Sequence, residues 1–197
     1  FDPFAYSHGR ASGLWQIIPG TGTHLGLKQN WWFDARRDVL ESTRAAFDYL
    51  QYLHVLFEGD WLLALAGYNS GEGNVAKAIR RAKSEGLPTD FWHIRNYLPA
   101  ETRTYVPRLI ALKRVIAESE SYDIDLPQIA NIPFFEIVET AGQMDMALAA
   151  DLANVTTDEL YRLNPGVNRW ATDPEGPHHI LVPVKRAANF RMALSDL

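Results

Sequence analysis

Six consecutive residues, Trp61-Leu62-Leu63-Ala64-Leu65-Ala66, carry no charged side chain, and Asp60 stands directly before them. A helix that is apolar on every side has to be enclosed by other elements. An aspartate in front of it supplies the N-cap. The run is far shorter than the roughly 18 apolar residues of a membrane span, and no other stretch reaches that length. The chain therefore has to wrap a core around this segment. With 197 residues, 47% of them hydrophobic, it can do so without disulfide or metal staples. The same balance excludes collagenous, mucin-like and largely disordered chains. The absence of cysteine excludes disulfides, thiolate nucleophiles and Cys-ligated metals.

The flanking pattern is helical. Asp38 caps a helix running to about Phe57, with Ala46, Tyr49, Leu50, Leu53, Leu56 and Phe57 on one face. Gly59 ends it. Val75 to Lys83 forms another helix, stopped by Gly86. Pro99 opens a further helix in which Tyr105, Leu109, Leu112 and Ile116 share a face. Pro107 removes one backbone donor inside it and predicts a kink or a restart. Residues 1–37 are rich in glycine and proline turns and read as short helical pieces joined by tight loops.

The composition shifts near Tyr122-Asp123-Ile124-Asp125-Leu126-Pro127. Beyond it, Phe134 to Val138 reads as a strand, 143–153 and 157–163 as helices, and His179 to Pro183 as a second strand. The expected fold class is mostly α: a lysozyme-like helical domain over 1–120, a linker over 121–132, a small βααβ module over 133–186 and a tail over 187–197, the chain from Lys185 being helical or frayed.

A net charge of −5 leaves no basic stripe for a nucleic acid, so none is expected as a partner. The six histidines lack the spacing of metal ligands, and no metal or cofactor is implied. His178-His179 reads as surface.

Three motifs concentrate polar groups beside apolar anchors: Gly13-Leu14-Trp15-Gln16, Ala66-Gly67-Tyr68-Asn69-Ser70-Gly71-Glu72-Gly73, and Pro99-Ala100-Glu101-Thr102-Arg103-Thr104-Tyr105-Val106-Pro107. Amides and carboxylates held among aromatic rings are what a sugar-binding cleft needs. Each piece alone has a plainer structural reading. Gln16 suits a helix end, Tyr68-Asn69 a helix C-terminus, and Glu101 a first-turn carboxylate. Trp31 and Trp32 suit core or lid packing. Asp34, Arg36, Arg37 and Asp38 suit a solvated or salt-bridged turn.

Taken together and in this order, the motifs resemble the lytic transglycosylases with a goose-type-lysozyme-like (SLT) fold. The membrane-bound lytic murein transglycosylase D branch is the most similar. The resemblance covers residues 1 to about 118 and adds Phe1-Asp2-Pro3, Ala5, Ser7, Trp31, Asp34 to Asp38, Ser42-Thr43 and Asp60-Trp61 as markers.

It implies cleavage of the β-1,4 bond between N-acetylmuramic acid and N-acetylglucosamine in peptidoglycan glycan strands. One Glu protonates the glycosidic oxygen and then takes the proton of the muramyl C6 hydroxyl, which attacks C1 and leaves a 1,6-anhydro end. Most glycosidases need two carboxylates. Here the substrate supplies the nucleophile, so one suffices if an apolar site raises its pKa. By the family register that Glu falls three residues upstream of Phe1. The resemblance assigns supporting roles to Ser7, which faces the acid and substrate, and to Glu101 and Tyr105, a buried polar pair near the acid. Gln16, Tyr68 and Asn69 correspond to substrate contacts, and Glu72 to a branch-specific cleft residue. It also implies a bacterial periplasmic location at the outer membrane, with any membrane association made through an N-terminal anchor.

The C-terminal module resembles a divergent LysM domain through Ile137-Val138, Leu160, Leu163-Asn164-Pro165 and Ile180-Leu181-Val182-Pro183. The usual Gly-Asp-Thr turn after the first strand is replaced by Thr140-Ala141-Gly142-Gln143-Met144-Asp145, which predicts weak or no chitooligosaccharide binding. Three functional readings stay open. They are an active lytic transglycosylase in the longer protein, a catalytically inactive glycan-binding protein, and a lysozyme-like hydrolase using Glu101 or Glu72.

Overall fold

A computed structural model of the chain describes residues 2–197. Phe1, which opens the first family marker, lies outside the described residues. The elements follow as α1 (Pro19–His24), α2 (Val39–Leu56), α3 (Trp61–Ser70), α4 (Glu72–Ser84), α5 (Phe91–Ile94), α6 (Ala100–Ala117), β1 (Phe135–Glu139), α7 (Met146–Ala153), α8 (Thr157–Leu163), β2 (His179–Pro183) and α9 (Val184–Ser195). The fold is mostly α, as expected. Among the described residues no helix is long and apolar enough to cross a membrane. The chain divides into two compact units. Phe47–Ala130 forms one, and the chain up to Ala46 together with Asn131–Leu197 forms the other.

In the first of these units α3 is the centre of the core. Asp60 caps it, its carboxylate accepting from the backbone N–H of Leu62 at 2.7 Å and of Leu63 at 3.1 Å. Leu63, Ala64 and Ala66 are buried with Leu53, Val75, Phe91, Ile94, Leu98 and Val106. Gly67 is what lets Phe57 close on α3: a Cβ there would stand 2.9 Å from Phe57 Cε2. The helix ends at Gly71, whose φ of +86° suits glycine.

α6 departs from expectation twice. It runs through Pro107 without a restart. The carbonyl that Pro107 cannot serve is that of Arg103, and Arg95 Nε donates to it at 2.8 Å. Its buried residues are Thr102 and Val106, whereas Leu112 and Ile116 are 53% and 54% exposed. The 3/4 spacing assumed a helix embedded along its length, but only its first turns carry fully buried side chains.

In the other unit, β1 and β2 pair antiparallel with Ile137 opposite Leu181. Asp145 and Thr156 cap α7 and α8. The buried Asn164 stitches the end of α8 to β2. Its Oδ1 accepts from Leu181 N–H, and its Nδ2 donates to the carbonyls of Leu160 and Leu181, all at 2.8 Å. The segment set apart as a tail, 187–197, is for the most part helix α9, and its Ala187 and Phe190 are fully buried in this core. Ala187, Phe190 and Leu194 carry the spacing of one face, which two charged neighbours, Lys185 and Arg186, obscure. Among the described residues up to 37 there is one short helix, α1, in place of several. The chain there is held by isolated antiparallel bridges, Tyr6 with Ser12, Ser12 with Ile17 and Gln29 with Asp34.

Because Phe190 fills that core, Phe190→Ala is expected to cost about 3–5 kcal/mol. A lower urea midpoint for this unit's unfolding, followed by the Trp170 fluorescence, checks it; an unchanged midpoint refutes the tail's place in the core.

Candidate functional site

The Gly13–Gln16 motif forms a turn and not a helix end. Gly13 has φ +77°, and a Cβ on it would lie 2.3 Å from the Arg36 carbonyl oxygen, so only glycine fits. Gln16 has φ +50°, a conformation that non-glycine residues rarely hold without support. Its side-chain amide donates to the carbonyls of Gly13 at 2.8 Å and Ala5 at 3.3 Å. These bonds occupy the NH₂ group, and among the described residues the oxygen of the exposed Gln16 has no donor, which suits it to accept from a ligand hydroxyl or amide. Ser7, half-buried, accepts at its Oγ from the Ala11 N–H at 3.0 Å, so its hydroxyl hydrogen can be given elsewhere.

Arg36 holds this turn from behind. It is 6% exposed. Nε and Nη2 grip the Asp34 carboxylate at 3.0 and 2.7 Å, and Nη1 donates to the carbonyls of Arg10 at 2.8 Å and Ile17 at 3.2 Å. Asp38 is buried too, capping α2 through the N–H groups of Leu40 and Glu41. The Asp34–Asp38 stretch is thus salt-bridged but not solvated. Burial raises the Asp38 carboxyl, against the pull of those N–H groups.

Trp31 is 62% exposed, with the Arg169 guanidinium 3.3 Å above its ring, and Trp32 meets Trp170 edge-on at 5.4 Å. Core packing therefore describes Trp32, and not Trp31.

In the unit of α3, the polar groups emerge at the helix's exit. Thr102, 1% exposed, donates from Oγ1 to Asn69 Oδ1 at 2.8 Å. That acceptor fixes the amide's orientation, so Nδ2 faces Glu101 Oε1 and donates to it at 3.0 Å. Glu101 sits exposed in the first turn of α6, not buried as the resemblance implied, while Tyr105 is half-buried. Tyr49 donates to Glu72 Oε2 at 3.2 Å and leans on Tyr68 with ring centroids 5.9 Å apart. Burial first, and Glu72 second, push the Tyr49 phenol up to about 12. Burial also raises Tyr68, with Tyr105 and Tyr49 adding to it, and Tyr105, with Glu101 adding to it. All three phenols therefore stay protonated donors at neutral pH.

A groove of about 670 Å³ in the same unit is lined by Glu72 and Gly73 with apolar walls from Leu56, Phe57, Leu63 and Ile79. Glu72 is the one proposed site residue on it.

The structure thus brings Asn69 together with Glu101, and Tyr68 with Tyr49 and Glu72. Ser7 and Gln16 belong to the other unit. Sequence reasoning missed Tyr49, counted as a mere core position, and the roles of Thr102 and Arg36. A buried threonine next to a motif carboxylate was the available signal for Thr102.

The family model for the Transglycosylase SLT domain matches residues 1–89, and that for "Lytic transglycosylase MltD, LysM-like domain" matches residues 134–197. The chain is 43% identical over 196 residues to the membrane-bound lytic murein transglycosylase D of Escherichia coli (strain K12), covering 100% of this chain and 43% of that protein. It is 45% identical over 91 residues, 46% of this chain and 44% of the relative, to a putative tributyltin chloride resistance protein of Alteromonas sp. (strain M-1). It is 33% identical over 106 residues, 50% of this chain and 22% of the relative, to the membrane-bound lytic murein transglycosylase F of Desulfosudis oleivorans. The chain spans less than half the length of these relatives.

Asn69→Asp tests the amide's orientation. It sets a carboxylate against Glu101 and raises the folded-state pKa of the pair. Stability is then retained below the unfolded carboxylate range and lost as pH rises through it. A penalty of about 1 kcal/mol at pH 7 that vanishes near pH 3.5 is expected, solvent at Glu101 screening the rest. Urea midpoints at the two pH values check it.

Proposed function

We propose that this chain, a member of the lytic transglycosylases that carry an SLT domain, supplies substrate-holding parts of an enzyme that cleaves peptidoglycan glycan strands. The bond is the β-1,4 link from N-acetylmuramic acid to N-acetylglucosamine, and the product carries a 1,6-anhydromuramyl end. The 43% identity over 196 residues to a lytic murein transglycosylase supports this most, because it spans both the Gly13–Gln16 turn and the polar exit of α3. By the motif register, the acid/base Glu belongs three residues before Phe1.

In this reading Gln16, Tyr68, Asn69 and Glu72 contact the sugar, and Ser7, Glu101 and Tyr105 support the acid. Each has a chemical handle for the task. The Gln16 oxygen accepts from a hydroxyl or N-acetyl N–H. The protonated phenols of Tyr68 and Tyr105 donate. The Asn69–Glu101 pair presents a fixed charge. Holding the C6 hydroxyl in line with C1 supplies much of the acceleration in a reaction whose nucleophile is already part of the substrate. The location is the bacterial periplasm, where the strands lie.

A hydrolase built on Glu101 or Glu72 is less well served. Glu101 accepts from Asn69, and Glu72 from Tyr49. Those are the bonds of supporting groups.

The test is digestion of purified peptidoglycan by this chain and by the same chain extended upstream to include the Glu, with products read by mass spectrometry. Anhydro ends from the extended form, and none from its Glu→Gln variant, are expected. Anhydro ends from neither form refute the enzyme reading and leave a glycan binder. Reducing ends from the shorter form point to Glu101 or Glu72 as the acid.

A further inference from the structure

We infer that the LysM-like module is an internal brace for the Gln16 turn, with Asp173 in its α8–β2 loop as the positioning residue. The functional consequence rests on the reading of Gln16 as a substrate contact; the brace itself does not.

The segment from Leu25 to Asp38 contains no helix or strand beyond isolated bridges. Something outside it must hold it in one conformation. Asp173 does so from the other end of the chain. Its side chain is 1% exposed, and Oδ2 accepts from Lys28 Nζ at 2.8 Å and Asn30 Nδ2 at 2.6 Å. Oδ1 takes the Glu175 N–H at 2.9 Å, which fixes the carboxylate in its own loop. Lys28 also donates to the Gly176 carbonyl at 3.1 Å.

The contact is then passed along the segment. Asn30, held by Asp173, accepts at Oδ1 from the N–H groups of Trp32 at 2.9 Å and Phe33 at 2.8 Å. Phe33 lies on Gly166, where a Cβ would come within 2.6 Å of its ring. The Asp34 N–H donates to the Gly166 carbonyl, and the Asn168 N–H to the Trp32 carbonyl, each at 2.8 Å. Asp34 in turn grips Arg36, and Arg36 binds the carbonyls of Arg10 and Ile17 on either side of the turn. Asp173, Phe33 and Arg36 in this series are buried, while Asn30, which joins Asp173 to Trp32 and Phe33, is exposed. A positive-φ glutamine beside a glycine pressed on the Arg36 carbonyl is the kind of geometry that persists only when its surroundings over-determine it.

The measurement is amide hydrogen exchange by NMR on this chain. Ser12 and Ile17 exchange backbone bonds with each other at 3.2 and 3.3 Å, and neither touches Asp173, so their amides report the turn. Asp173→Ala and Lys28→Met are expected to speed exchange at Ser12 and Ile17 by about tenfold, while Ala149 and Ala150 in α7 keep their protection. The double variant should add little to either single one. Asp173→Asn keeps the side chain's size and its place beside Asn30. It serves where the alanine variant does not fold, with the same pattern at smaller amplitude. Unchanged exchange at Ser12 and Ile17 overturns the brace. So does equal acceleration throughout the unit, which is plain loss of stability. In the upstream-extended protein, Asp173→Asn should lower kcat by about tenfold with KM within about twofold. If the unsubstituted extended protein gives no anhydro ends, the enzyme reading fails while the exchange result still decides the brace.

Discussion

A helix with no polar face leaves a chain few choices about where to put its chemistry. Leu63, Ala64, Ala66 and Gly67 are buried, tight enough at Gly67 that a methyl group would collide with Phe57, while Trp61, expected to be enclosed with them, is exposed at the N-terminal end. The polar side chains of α3 emerge at its C-terminal end. Tyr68, Asn69 and Ser70 do so in sequence, and Glu72 follows directly after Gly71. The first turn of α6 contributes Thr102 and Glu101 to the same place. The candidate site residues of this unit cluster there, where α3 leaves the core.

The other unit solves a different problem. Its site residues lie on a turn with little secondary structure, so the rigidity comes from a buried cation. Arg36 engages four of its N–H groups, two on Asp34 and two on backbone carbonyls. A buried guanidinium is tolerable only when its charge and donors are met in this way. A lysine could not replace it. One ammonium cannot span a carboxylate and two separate carbonyls in a planar fork.

What the sequence disclosed follows the range of each interaction. Caps and periodicity are local, so Asp38 and Asp60 located the starts of α2 and α3, and His179–Pro183 stood out as a strand. The motifs likewise pointed to Asn69 and Glu101, whose pairing the structure displays. Contacts between distant residues left no such trace. The unbroken α6 depends on Arg95 taking the carbonyl orphaned by Pro107, and a proline alone signals only the lost donor. Burial of Arg36 was hidden because a run of alternating charges normally faces water. Asn30 and Asp173 lie 143 residues apart, and nothing at either position announces the other. Phe190 was missed for a related reason, since its helix shows its apolar face only once the surrounding charges are set aside.

The same distance dependence bears on what the C-terminal module is for. A βααβ unit with two strands and three short helices has a small core of its own, centred on Met146, Leu160, Ile180 and Phe190. Its longest loop, between α8 and β2, would be an entropic burden if left in solvent. Here it is ordered by Gly166, Val167, Asn168 and Asp173 meeting the 28–38 segment. Each segment is irregular on its own, and each supplies the hydrogen-bond partners that the other lacks. A loop engaged this way is not available on the same residues to an external ligand. The altered turn at Thr140–Asp145 fits that picture: its Thr140 hydroxyl donates to the Gly142 carbonyl at 2.9 Å, and Gln143 donates to the Thr172 carbonyl at 2.9 Å. Those polar groups are directed at the module's own backbone. On the brace inferred above, the module contributes to the proposed glycan site through the turn it steadies.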